Sequence, residues 1–346
     1  MLALALGSAL LALPAGSVGP VQPPPLAKMR GVCWEAGGRV DPEALDPLRG
    51  LGVDWISQTP FGWCPSLTAP KVVRNAGDDV YWGESDQGLA ETAGFARNLG
   101  IKTLLKPHLW VPGGSWVGDL RMGSEEDWQR WFRSYEDFIL HYARLAEREH
   151  MNGLVVGAEL RCAARRTADW RRLIQRVREV YHGPLTYCAN WNEEEQVEFW
   201  GDLDFIGVQA YYPLSDAPHP SLAQIRSAWL PIVSRLEVLA RRTGRPVVFT
   251  EVGYKSVAGT LTAPWSWDTR GKTDFGLQRD AYRALFEAVW SRNWFGGTFI
   301  WKWHPLASRA RPSPDRERDF TPQGKPSLKV MREFYTHPGR SGGRFP

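Results

Sequence analysis

Cysteine is scarce in this 346-residue chain: four residues, Cys33, Cys64, Cys162 and Cys188, with no CxxC pair among them. That excludes a zinc ribbon. Four cysteines allow three pairings, so bridges between neighbouring loops (Cys33 with Cys64, Cys162 with Cys188) and buried free thiols both stay open. Histidine is also sparse, with seven scattered residues and no HxH pair on the first strand-like run. Only His108 and His304 fall near strand ends, so no metal is expected. Glycine-rich phosphate turns are missing: Gly31-Val32-Cys33-Trp34-Glu35-Ala36-Gly37-Gly38 does not fit GxGxxG, and there is no Walker loop. Beyond residue 18 no apolar run is long enough to cross a bilayer. The 42 basic residues give a net charge of +4 but are spread along the chain in short clusters such as Arg165-Arg166, Arg171-Arg172 and Arg241-Arg242. No nucleic-acid stripe and no stable membrane partner follow from that pattern.

What the chain does have is periodicity. Short apolar runs suited to strands buried on both faces occur at Arg30–Trp34, Val53–Gln58, Ile101–Pro107, Gly153–Gly157, Leu185–Asn190, Phe205–Ala210, Pro246–Thr250 and Gly297–Trp301. Helical patterns lie between them, at Asp86–Leu99, Asp169–Tyr181, Leu222–Arg242 and Phe275–Arg292. One further helix begins after Ser124, which caps Glu125-Glu126-Asp127. Its apolar face runs Trp128, Trp131, Phe132, Tyr135, Phe138, Ile139, Tyr142, Leu145. Gly100, Gly183 and Gly244 stand where left-handed helix caps are expected. Alternating β and α units of this number predict a single-domain (β/α)8 TIM barrel over residues 30–337. Residues 338–346 read as a loose tail.

Residues 1–18 resemble the apolar region of a signal peptide, with Ala15-Gly16-Ser17 as a small-residue cleavage site. They lack a positive n-region, so an uncleaved N-terminal anchor is the alternative. Residues 19–29 form a Pro-rich linker. The expected location is extracellular or periplasmic.

A barrel of this kind does its chemistry at the C-terminal ends of its strands. There the sequence sets Trp34-Glu35, Gln58 with Phe61 and Trp63, Lys106-Pro107-His108, Glu159, Asn190-Trp191, Gln209 with Tyr211-Tyr212, Glu251, and Trp301-Lys302-Trp303. Glu159 follows the apolar run of the fourth strand and Glu251 that of the seventh. Tryptophan is abundant: 18 residues, against 10 Tyr and 14 Phe. Wide flat rings at strand ends suit the C–H faces of sugars. Two carboxylates at such a mouth suit glycoside hydrolysis, where the retaining mechanism needs them about 5–5.5 Å apart. A single Glu at a strand end is as readily a structural ion pair; the pair on these two strands points to catalysis. Glu193-Glu194-Glu195 read as the opening of a helix, and Asp202 and Asp204 lie at the opposite face. Glu35 and Asp268 are candidates for sugar hydroxyls.

The segments Val155-Val156-Gly157-Ala158-Glu159-Leu160 and Val248-Phe249-Thr250-Glu251-Val252-Gly253-Tyr254 resemble the acid/base and nucleophile motifs of clan A glycoside hydrolases. Leu104-Leu105-Lys106-Pro107-His108-Leu109-Trp110 and Gly297-Thr298-Phe299-Ile300-Trp301-Lys302-Trp303 narrow the resemblance to glycoside hydrolase family 113, the β-mannanases. It covers roughly Arg30 to Trp303. The resemblance implies a retaining hydrolase of β-1,4-linked polysaccharide or oligosaccharide, an endo-β-1,4-mannanase that needs no metal or organic cofactor; a monomer is expected. Glu159 would be acid/base, with its pKa raised, and Glu251 nucleophile. Tyr211 or Tyr212 would hydrogen-bond the nucleophile, and Trp301 or Trp303 would floor the subsite of the attacked sugar. His108, Asn190 and Trp191 would touch substrate, alongside Trp34, Glu35 and Trp63. One departure stands out: many clan members carry Asn before the acid/base, where this chain has Ala158, so the sugar 2-hydroxyl contact passes to another residue such as Asn190. Another β-glycan, or a non-catalytic carbohydrate-binding barrel, is the alternative.

Overall fold

The computed structural model describes residues 27–35, 37–75, 77, 80–305 and 314–337. The signal or anchor segment, nearly all of the Pro-rich linker, and the tail from 338 lie outside the described residues.

Eight strands close a barrel: β1 (Met29–Trp34), β2 (Trp55–Gln58), β3 (Lys102–Leu105), β4 (Gly153–Ala158), β5 (Leu185–Asn190), β6 (Ile206–Gln209), β7 (Val247–Val252) and β8 (Phe295–Trp303). Every pairing is parallel, and β1 closes the ring by pairing with both β2 and β8. Strands such as β4 and β7 are buried along their whole length, which is why they read as apolar runs without alternation.

Helices α1 (Asp86–Asn98), α2 (Glu125–Arg148), α3 (Thr167–Arg178), α4 (Leu222–Thr243) and α5 (Phe275–Val289) wrap the outside. Their starts are set by side-chain caps: Ser85 accepts from the Gly88 amide, Ser124 from Asp127, and Asp274 from Leu277. Ser221 and Gln224 form a reciprocal capping box. The apolar face expected on α2 is buried, and Trp131 stacks on Tyr135 at 4.9 Å. Gly244 ends α4 in a left-handed conformation (φ 66°) and Gly100 follows α1 in one (φ 73°). Gly183 does not share it: α3 stops at Arg178, and Gly183 instead lies tight against the Tyr181 ring, where a Cβ would meet the hydroxyl.

The core has two layers. A large one lies between barrel and helices. A small one fills the barrel itself, with Cys33, Trp55, Leu104, Val155, Ala158, Cys188, Phe205, Val248 and Phe299. Gly31 is required here by close approach, because a Cβ would sit 2.4 Å from the Phe299 ring. All four cysteines are free; Cys33 and Cys188 are interior filling rather than loop staples.

Two features depart from the sequence reading. The chain past β2 and β3 adds a three-stranded sheet above the barrel, from Phe61–Trp63, Val73–Arg74 and His108–Trp110. Residues 191–196 form turns rather than a helix start, and Glu193 and Glu194 are buried. Glu194 accepts from Tyr212 and Arg235, which only partly offset a burial that still pushes its carboxyl pKa up.

Candidate active site

Glu159 is the first residue past β4, and its backbone is left-handed (φ 55°). A non-glycine residue there costs on the order of 1–3 kcal/mol and persists only where surroundings over-determine it. They do: the Glu159 amide donates to the Cys188 carbonyl at 2.9 Å, and the Leu160 amide donates to the Tyr187 hydroxyl at 2.9 Å. The kink leaves the side chain 19% exposed at the barrel mouth. Its carboxylate accepts from the Trp116 indole N–H at 3.0 Å, and His108 Nε2 stands 3.7 Å from the same oxygen. His108 Nδ1 bonds the Leu109 carbonyl at 2.7 Å, which assigns that nitrogen as the donor and turns Nε2 toward Glu159.

Burial is the largest single influence on the Glu159 carboxyl and pushes its pKa up. His108, Trp116 and the Lys106 ammonium together outweigh it, so the group lies below the ordinary carboxylate range. This reverses the raised value expected from an apolar strand end. The sequence showed the strand but not the donors that later loops bring over it.

Glu251 lies within β7 and is 6% exposed. Three donors converge on it: Lys106, in an ion pair; Tyr211, whose hydroxyl donates at 2.9 Å; and Gln209 Nε2 at 3.3 Å. Gln209 stands beside it in register on β6. Burial is the largest single influence on the Lys106 ammonium and pushes its pKa down, but the charge and hydrogen bond of Glu251, with smaller influences from nearby groups, together outweigh it and hold the pKa above the ordinary lysine value. Tyr211 feels the charge of Glu159 as well as that of Glu251.

Lys106 and His108 tie the two carboxylates together. They are two positions apart, with Pro107 between them holding Lys106 out of helical conformation. One reaches Glu251 and the other Glu159. The Lys106 ammonium acts on Glu159 as well as on Glu251, and Tyr211 feels both charges, so the two carboxylates are neighbours.

The remaining candidates divide. Trp301 is partly exposed, with the Lys106 ammonium 5.5 Å from its ring centre, and Trp267 meets it edge-on. Trp303 is buried in the core, so of the two only Trp301 presents a ring to the mouth. Likewise Tyr211 holds Glu251, while Tyr212 is buried and bonded to Glu194. Trp34 is also core, at 6% exposure, and offers substrate no face. Trp63 is partly exposed and stacks on Trp110; Trp191 stacks on Trp265 at 5.4 Å. Asn190 is partly exposed and in register with Gln209, with its amide oxygen accepting from the Trp191 N–H. Glu35 is bound by Lys302 and His304, and His304 also bonds Asp319 at 2.8 Å. That cluster depresses the Glu35 and Asp319 pKa values and raises that of His304 against its burial. Asp268, the other candidate for a hydroxyl, is taken by Arg270.

Sequence reasoning missed Trp116 altogether, because it stands in an aperiodic loop. Lys106 and Gln209 were visible as strand-end polar residues, but nothing in spacing alone aims them at Glu251.

A sequence model of Glycoside Hydrolase Family 113 matches residues 42–325. The chain belongs to glycoside hydrolase family 113. The solved family 113 β-mannanase of Alicyclobacillus acidocaldarius, in complex with ManMIm, is 30% identical with a TM-score of 0.78; the match covers 91% of this chain and 99% of that one. A complex of a family 113 β-1,4-mannanase is 26% identical with a TM-score of 0.77, covering 89% and 99%. The β-glucuronidase of Faecalibacterium prausnitzii, at 14% identity and TM-score 0.57, shares the fold and covers 92% of this chain but 50% of its own. No curated protein matches the chain. As a family 113 protein the chain is a glycoside hydrolase, built on the expected barrel.

Proposed function

We propose that the protein is a retaining endo-β-1,4-mannanase, with Glu251 as nucleophile and Glu159 as acid/base. The observation that supports this reading is the Lys106–His108 segment, which reaches two neighbouring carboxylates in unlike surroundings, Glu251 through Lys106 and Glu159 through His108. Glu251 is wrapped by donors, as an ionised nucleophile requires. Glu159 keeps an open edge facing the mouth. The mannan assignment rests on the β-mannanase neighbours.

In the first step a Glu251 oxygen attacks the anomeric carbon while the Glu159 proton passes to the departing glycosidic oxygen. Substrate seated over Glu159 covers its exposed edge, adding to the burial that already pushes this carboxyl up. Ester formation then removes the Glu251 charge. Lys106 loses its counter-ion, and its ammonium acts more fully on Glu159, favouring the carboxylate. In that state Glu159 takes a proton from the water that attacks the ester. One buried lysine thereby reports the state of the nucleophile to the acid/base.

Glu251→Ala should lose turnover and regain part of it with azide, giving a glycosyl azide of inverted configuration; undiminished turnover in that variant removes Glu251 from the reaction. A panel of β-mannan, glucomannan, xylan and cellulose, with product sizes, tests substrate and endo action together.

A further inference from the structure

The added sheet above β2 and β3 presents its two faces very differently. Gly62 and Leu109 point inward: Leu109 is buried, and a Cβ on Gly62 would meet the Phe138 ring of α2 at 2.5 Å. Phe61, Trp63, His108 and Trp110 take the alternate positions and face the other way. Register puts Phe61 beside His108 and Trp63 beside Trp110. The first pair meets at 5.6 Å between ring centres, the second stacks at 6.4 Å with planes 30° apart. The result is a wall of four rings in two rows.

The inner row contains His108, which reaches Glu159. The outer row lies two residues further along both strands, about 6–7 Å away, close to the length of one pyranose unit. Trp110 is 46% exposed there, although the neighbouring Leu109 is buried in the core. A rigid backing beneath an exposed flat ring is what a stacking platform needs.

We propose that the Trp63–Trp110 pair is a subsite for a neutral pyranose of a β-linked chain, one unit beyond the sugar that touches His108 and Glu159. This rests on the glycosidase reading above and adds a minimum substrate length to it. The inner row holds the sugar at the scissile bond. The outer row gains only when the chain is long enough to reach it.

The test is a ladder of kcat/KM against oligosaccharide length, from disaccharide to hexasaccharide, for the wild type and Trp110→Ala. The wild type should climb by a distinct step at the length that first reaches the outer row. Trp110→Ala should lose that step, about tenfold and mostly through KM, the scale of one ring-face contact. Its rate on the shortest cleaved substrate should stay unchanged, which also reports an intact fold. Trp110→Phe should restore most of the step. An unaltered ladder in Trp110→Ala, or an equal loss at every length, overturns the subsite. The ladder is run on whichever β-glycan the enzyme cleaves, so a wrong mannan assignment appears as absent turnover on manno-oligosaccharides and leaves the platform test standing.

Discussion

Trp116→Phe isolates one hydrogen bond to the proposed acid/base. The indole N–H donates to Glu159 at 3.0 Å, and the ring is held from behind by Arg161, whose guanidinium carbon lies 4.7 Å from the ring centre. Arg161 is itself ion-paired to Asp119, so a phenyl ring at 116 keeps its seat while losing only the donor. A hydrogen bond to a charged group is worth about 1.5–3 kcal/mol. Each pKa unit corresponds to about 1.4 kcal/mol, so removing the bond should raise the Glu159 pKa by about one to two units. The sign follows from the donor favouring the carboxylate, which Glu159 must not be when it protonates a leaving group. The alkaline limb of kcat/KM should therefore move to higher pH by that amount. It should do so for native oligosaccharides, and far less for aryl glycosides whose leaving groups need no proton. A limb that stays in place, with activity lost equally on both substrate classes, would mean that Trp116 only shapes the loop and that the donors around Glu159 do not set its ionisation.

Three further outcomes follow from the same geometry. Lys106→Met leaves the Glu251 carboxylate buried without its counter-ion, so denaturant unfolding should show a loss of about 3–5 kcal/mol; burst kinetics should show slowed breakdown of the glycosyl-enzyme, because the charge that returns Glu159 to its basic form is gone. His304→Gln should lower Tm most in mildly acidic solution. The raised His304 pKa adds stability that is complete below its ordinary 6.5 and fades as pH climbs through the raised value, while the depressed Glu35 and Asp319 values add stability that fades only as pH falls below the ordinary carboxylate range; a wild-type-minus-variant difference that widens above neutrality refutes the assignment. Asn190→Ala should cut kcat/KM on oligosaccharides by about tenfold or more, the cost of one lost sugar hydrogen bond, and cost little on a 2-deoxy glycosyl substrate; equal losses on both would remove Asn190 from the 2-hydroxyl.

The barrel was legible because its determinants are local. Each strand is a buried run, and helix starts announce themselves through Ser or Asp caps such as Ser124 and Ser221. Glu159 and Glu251 were legible because position at a strand end needs no knowledge of neighbours. What failed needed the third dimension. Tyr211 and Tyr212 are adjacent in sequence, yet only one turns to Glu251; Trp301 and Trp303 would share a face in a regular strand, but the register of β8 against β1 shifts between them and only Trp303 is buried. Glu193 and Glu194 carry the composition of a helix start, but Arg235 and Tyr212, distant in sequence, pull Glu194 inside. The Glu159 pKa followed the same rule: its upward push is local and readable, while its downward push comes from loops after β3.

The missing asparagine before the acid/base finds a physical reason in the barrel interior. Ala158 is buried there in an apolar cluster with Cys33, Val155, Cys188 and the larger Trp55, Phe205 and Phe299. An amide at that position would need hydrogen-bond partners among apolar neighbours. The row that replaces it runs across three adjacent strands: Asn190 on β5 is in register with Gln209 on β6, and Gln209 with Glu251 on β7. Neighbouring strands lie about 4.8 Å apart, so Asn190 stands two strand widths from Glu251 and level with it. Its amide oxygen is fixed by the Trp191 N–H, and Trp191 is fixed by its stack on Trp265. Polar side chains at this depth are thus anchored on β5 and β6, not at the position preceding Glu159.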